Sequence, residues 1–82
     1  MFIKTQGNGL INLEFCKTIS RSDFECIKSD MLTVDIYADD YFLGEYDKKD
    51  TSIVIDGIYE AIKRGERVYK MPTLEEVKEY AK

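Results

Sequence analysis

From Met31 to Ala38 the chain alternates with a period of two: Leu32, Val34 and Ile36 point one way, Thr33, Asp35 and Tyr37 the other. That period specifies a half-buried β-strand and excludes a helix over the same residues. Asp39-Asp40 then offers a tight turn, and Tyr41 to Tyr46 returns as a second strand. A connection this short joins antiparallel neighbours.

The period changes after Tyr46. Asp47-Lys48-Lys49-Asp50-Thr51-Ser52 supplies several N-cap residues, and Val54, Ile58, Ala61 and Ile62 follow at helical spacing. Gly57 weakens this helix by about 1 kcal/mol relative to Ala. Gly65 is placed to end it in the left-handed region. The spacing predicts about 12 to 14 residues of helix, enough to cover one face of a small sheet.

The N-terminal third reads as further strands. Phe2 to Thr5 is followed by the turn signal Gln6-Gly7-Asn8-Gly9. Leu10 to Ile19 is expected as one strand: Ile11, Leu13 and Phe15 alternate against Asn12 and Glu14, and a bulge falls where the alternation slips at Cys16. Ser20-Arg21-Ser22-Asp23 is expected as a turn, Phe24 to Lys28 as a strand, and Ser29-Asp30 as a break or bulge. At the other end Val68 to Met71 reads as a last strand, stopped by Pro72. Thr73-Leu74-Glu75-Glu76 is a capping box, predicting a short helix to about Tyr80 with Leu74 and Val77 inward. No repeat, linker or low-complexity stretch interrupts residues 1–82. The expectation is one α+β domain: a small antiparallel meander of about five strands, one main helix on one face, and a short C-terminal helix.

An 82-residue domain buries only roughly 60% of the surface its unfolded chain exposes. Its core is thin, and association with a copy or a partner would add stability. The net charge is −4. Lys48-Lys49 is flanked by Asp47 and Asp50, and Lys63-Arg64-Gly65-Glu66-Arg67 contains an acid, so the clustered cations that phosphate binding needs are missing. Cys16 and Cys26 are the only sulfur ligands and there is no histidine, which disfavours structural zinc. No signal peptide is evident and no apolar run approaches the ~20 residues of a membrane helix. The expected setting is a bacterial cytoplasm, with both thiols free.

The segments Met1-Phe2-Ile3-Lys4-Thr5, Gly9-Leu10-Ile11-Asn12-Leu13, Leu43-Gly44-Glu45-Tyr46, Ala61-Ile62-Lys63-Arg64-Gly65 and Tyr69-Lys70-Met71-Pro72 resemble a group of short phage and prophage proteins of Gram-positive bacteria. Members usually begin Met-Trp where this chain has Met-Phe. The resemblance implies a phage-accessory context, and it carries no mechanism and no functional residues.

Candidate chemistry is sparse. A cysteine nucleophile needs a base to form thiolate, and without histidine only lysine or carboxylate remains. Asp35, Asp39, Asp40, Glu45, Asp47 and Asp50 form the most acidic stretch, but Asp39-Asp40 suits a turn and Asp47 and Asp50 a helix start. The EF-hand spacing is absent. Gly7-Asn8-Gly9 precedes a strand, so it reads as a hairpin turn, not a phosphate loop. No enzyme, metal or cofactor is expected. Six tyrosines are a real enrichment. If Tyr37 and Tyr41 share an exposed sheet face, they form, with Asp39 and Asp40, a contact surface for a protein partner or a second copy. The leading expectation is therefore a non-enzymatic interaction module. The alternative is a small anionic-ligand or nucleotide binder, using Lys63, Arg64, Arg67 and Lys70. A further alternative is an acidic inhibitor of a nucleic-acid-binding enzyme, for which −4 is a weak charge.

Overall fold

In the computed structural model, which describes residues 1–80, the central alternation becomes the longest strand. For reference, the strands are β1 (Phe2–Lys4), β2 (Leu10–Asn12), β3 (Ile19–Arg21), β4 (Cys26–Lys28), β5 (Met31–Ala38), β6 (Tyr41–Asp47) and β7 (Val68–Lys70); the helices are α1 (Thr51–Lys63) and α2 (Leu74–Tyr80). Strands β5 and β6 form a hairpin across Asp39-Asp40, where Asp39 takes φ +52°. Aspartate tolerates this left-handed conformation better than most residues. The ladder pairs Ile36 with Gly44 and Tyr37 with Phe42, so Leu43 is an extra residue at a bulge.

The α+β class holds, but the strands are seven in two sheets, not five in one meander. One sheet has the order β2-β1-β7, and β1 and β7 run parallel. In the other, β6 lies along one side of β5, while β3 and β4 share the opposite side. The expected strand Leu10–Ile19 is divided between the sheets. Its alternation stops at Asn12, whose side chain accepts the Glu14 N–H at 3.1 Å and starts a 3₁₀ turn over Leu13–Phe15. The turn expected at Ser20–Asp23 begins only at Ser22, because Ser20 and Arg21 belong to β3. Ser29-Asp30 is neither break nor bulge. It is the two-residue turn of the β4–β5 hairpin, with φ of +48° and +64°.

The core collects Ile3 from one sheet, Ile36, Ala38, Leu43 and Tyr46 from the other, Val54 and Ile58 from α1, and Met71 and Val77 from the C-terminal segment. Helix α1 thus offers its apolar stripe to both sheets. Tyr69, half-buried beside this core, closes over Gly57, where a β-carbon would sit 2.8 Å from its hydroxyl. The helix-weakening glycine is therefore a packing requirement. Gly65, at φ +70°, ends α1 as its spacing predicts. The capping box of α2 is formed: the Thr73 N–H donates to Glu76 Oε1 at 2.9 Å, and the Glu76 N–H to Thr73 Oγ1 at 3.1 Å.

Gln6 joins the two sheets along the outer edge of β6. Its backbone N–H donates to the Leu43 carbonyl at 2.9 Å. Its side chain accepts the Glu45 N–H at 2.7 Å and donates to the Glu45 and Pro72 carbonyls at 3.3 and 3.1 Å. The buried Tyr46 hydroxyl donates to the same Pro72 carbonyl at 2.6 Å. Lys78 on α2 pairs with Asp47 and lies 3.1 Å from buried Asp50.

Candidate interaction surface

The two long edges of the larger sheet are treated differently. The β6 edge is closed by Gln6, as described above. The opposite edge is broken. Four residues, Ser22 to Glu25, stand opposite only Val34 and Asp35 of β5, so β3 and β4 are one interrupted strand. The surplus is held locally: the Ser22 N–H donates to the Asp35 carbonyl at 2.8 Å, and the Phe24 N–H to Ser22 Oγ at 2.9 Å. Glu25 pairs with Lys48. No side chain of β4 is buried.

Apolar residues gather on this bare edge. Phe24 is 85% exposed and Ile27 is 79% exposed. Ile27 lies opposite Leu32, itself 43% exposed, near the start of β5. An adjacent open cleft of about 570 Å³ is lined by Leu32, Met31, Arg21, Asp30 and Lys48, among others. Phenylalanine is among the residue types most often buried. Here all four phenylalanines are exposed, by between 39% and 85%, and the core is built of aliphatics, Met71 and Tyr46.

The tyrosine surface expected from the sequence does not assemble. A two-residue turn at Asp39-Asp40 pairs Ala38 with Tyr41 and Tyr37 with Phe42. Tyr37 and Tyr41 consequently face opposite sides of the sheet. Tyr37 is half-buried, packed edge-on to Phe42 at 6.2 Å between ring centres, and its hydroxyl donates to Asp35 at 3.3 Å. Burial, then the Asp35 charge, raises its pKa. Tyr41 is exposed.

Asp39 is committed to the fold. Its carboxylate accepts the backbone N–H groups of Lys17 and Thr18 at 3.0 Å, and the Thr18 hydroxyl at 3.2 Å. The Lys17 and Thr18 backbone donors hold its carboxyl below the usual range. Glu45 binds Lys28 and the buried Thr33 hydroxyl, each at 2.8 Å, and the Lys28 contact leads in lowering its pKa. Asp47 and Asp50 meet Lys78. Of the six carboxylates singled out, Asp40 alone has no partner among the described residues. Among those residues no three Cys, Asp or Glu side chains come close enough to hold a metal. Cys16 and Cys26 are unlinked, and burial, then Asp39, raises the Cys16 pKa, which opposes thiolate formation.

The four cations of the anion-binding alternative are not brought together. Lys63 lies 3.6 Å from Glu60 and 5.3 Å above the Tyr59 ring, and Arg64 pairs with Glu66. Arg67 borders a cleft with Phe2, Ile62 and Val68, whereas Lys70 borders another with Lys4, Thr5 and Gln6. Lys4, which the sequence did not single out, is the register partner of Lys70. No described helix is long and apolar enough to cross a membrane. Comparison with protein families, with curated proteins and with solved structures finds no match to the chain.

Proposed function

We propose that this chain is a non-enzymatic protein-interaction module, an accessory protein of a phage or prophage that docks through the bare side of its larger sheet. The observation that carries the reading is the exposure of Phe24, in the surplus segment, and of the cross-strand pair Ile27 and Leu32, beside an edge strand β4 that pairs among the described residues only with β5. Large exposed apolar side chains gathered at an open strand edge mark a contact site, and the edge adds directional hydrogen bonds to it. The residues that would serve catalysis are instead tied into the fold: Asp39 clamps a turn, Glu45 holds Lys28, and Asp47 and Asp50 hold Lys78.

The test compares wild type with a Phe24→Ser/Ile27→Ser double variant. Both side chains are mostly exposed, so the variant should fold, which circular dichroism checks. Wild type should self-associate or retain a protein from host lysate at micromolar concentration, and the variant should do neither. A wild-type chain that stays monomeric and retains nothing would overturn the reading.

A further inference from the structure

We propose that the occupant of this edge is a second copy of the chain, whose β4 pairs antiparallel with β4 about a two-fold axis at Ile27; the inference rests on the interaction reading above. The register dictates the axis. In a two-residue hairpin the residues flanking the turn, here Lys28 and Met31, exchange both backbone hydrogen bonds. Alternation makes Ile27 and Leu32 the next, non-bonded pair, so the Ile27 N–H and C=O point away from β5. Two such edges meeting antiparallel satisfy those groups reciprocally, Ile27 to Ile27. The positive φ of Ser29 and Asp30 and the surplus residues at Ser22–Glu25 end the seam on both sides. Pairing therefore closes as a dimer and does not propagate.

Charge and area agree with this occupant. Within each copy Glu25 pairs with Lys48 and Lys28 with Glu45, so these charges beside the seam are already matched when two copies meet, and Asp23 and Asp30 lie beyond its ends. In the paired register Glu25 stands opposite Ser29 and Lys28 opposite Cys26, so no like charges face each other. Ile27 and Leu32 at the seam, with Phe24 flanking it, expose roughly 400 Å² of apolar surface per copy, scaled from ~200 Å² for a phenylalanine side chain. Two copies bring roughly 800 Å², and the paired backbone and flanking side chains raise the total toward the ~1,200 Å² at which specific interfaces begin. The expected dimer is weak, with a micromolar dissociation constant.

Sedimentation equilibrium of the full chain, from low micromolar to near-millimolar concentration, tests this. Wild type should pass from monomer to dimer, and Ile27→Lys, which sets two ammonium groups on the axis, should weaken the dimer at least tenfold. A second variant fixes the register. With Cys16 and Cys26 changed to Ser, Ile27→Cys places two thiols at a bonded antiparallel pair, with Cα atoms ~5.5 Å apart, within disulfide reach. A mild oxidant should link it into a dimer, whereas Asp40→Cys in the same background should stay unlinked. A dimer untouched by Ile27→Lys, or equal cross-linking at both positions, would overturn the β4 seam. A wild type that is monomeric throughout would overturn self-pairing. If that monomer still retained a lysate protein that Phe24→Ser/Ile27→Ser loses, the broader interaction reading would stand without it.

Discussion

The Pro72 carbonyl is buried and accepts two donors, the Tyr46 hydroxyl at 2.6 Å and the Gln6 side-chain amide at 3.1 Å. Removing one donor leaves the other in place. Tyr46→Phe should therefore cost only the net value of a neutral hydrogen bond, about 1 kcal/mol. Gln6→Leu fills similar space but strips partners from the Glu45 N–H and carbonyl as well, so about 2 kcal/mol is expected. The double variant leaves a buried carbonyl with no donor at all, which adds a desolvation penalty of about 1–3 kcal/mol beyond the two single effects. For a domain of this size 1 kcal/mol corresponds to about 4–8 °C in Tm. Urea denaturation followed by circular dichroism, with slopes checked for constancy, measures all four corners of the cycle. A double variant additive to within about 0.5 kcal/mol would refute the shared-acceptor reasoning.

Two further outcomes follow from single contacts. Gly57→Ala should destabilise despite a helix-propensity gain of about 1 kcal/mol, because the new β-carbon meets the Tyr69 hydroxyl at 2.8 Å; in a Tyr69→Phe background, where the nearest atom is 3.8 Å away, the same change should stabilise, as thermal melts would show. Asp39 has a folded pKa below its unfolded value, so its stabilising effect is present above about pH 4 and is lost as pH falls through the folded value. Asp39→Asn should accordingly be less stable than wild type near neutrality, the gap closing below about pH 4 in pH-dependent unfolding; a gap constant across that range would contradict the clamp.

What was legible in the sequence is what repeats locally. The alternation from Met31 to Ala38, the stripe from Val54 to Ala61, Gly65 and the Thr73–Glu76 box each carry their own period or chemistry, and each appears where expected. Strands of three residues carry no period, so β1, β2, β3 and β7 could not be assigned to separate sheets from pattern alone. The parallel β1–β7 pair joins residues more than sixty positions apart, a pairing no local signal encodes. Phe15 followed the alternation of Ile11 and Leu13, but the Asn12 side chain turns the chain into a 3₁₀ turn first and leaves the ring 83% exposed.

The tyrosine face could have been checked in advance: a two-residue turn at Asp39-Asp40 fixes which residues share a side, and by that parity Tyr37 pairs with Phe42. The Phe24–Ile27 edge had no such signal, because the two surplus residues that interrupt it are visible only against β5.

Amide hydrogen exchange at Ile27, followed by NMR across a dilution series, tests the docking edge most directly. We expect the Ile27 N–H to exchange freely in dilute protein and to become protected as concentration rises, while amides inside the β5–β6 ladder keep one rate throughout. Protection of Ile27 at every dilution would mean the edge is already satisfied within the chain. Free exchange at every concentration would mean that no second copy pairs with it.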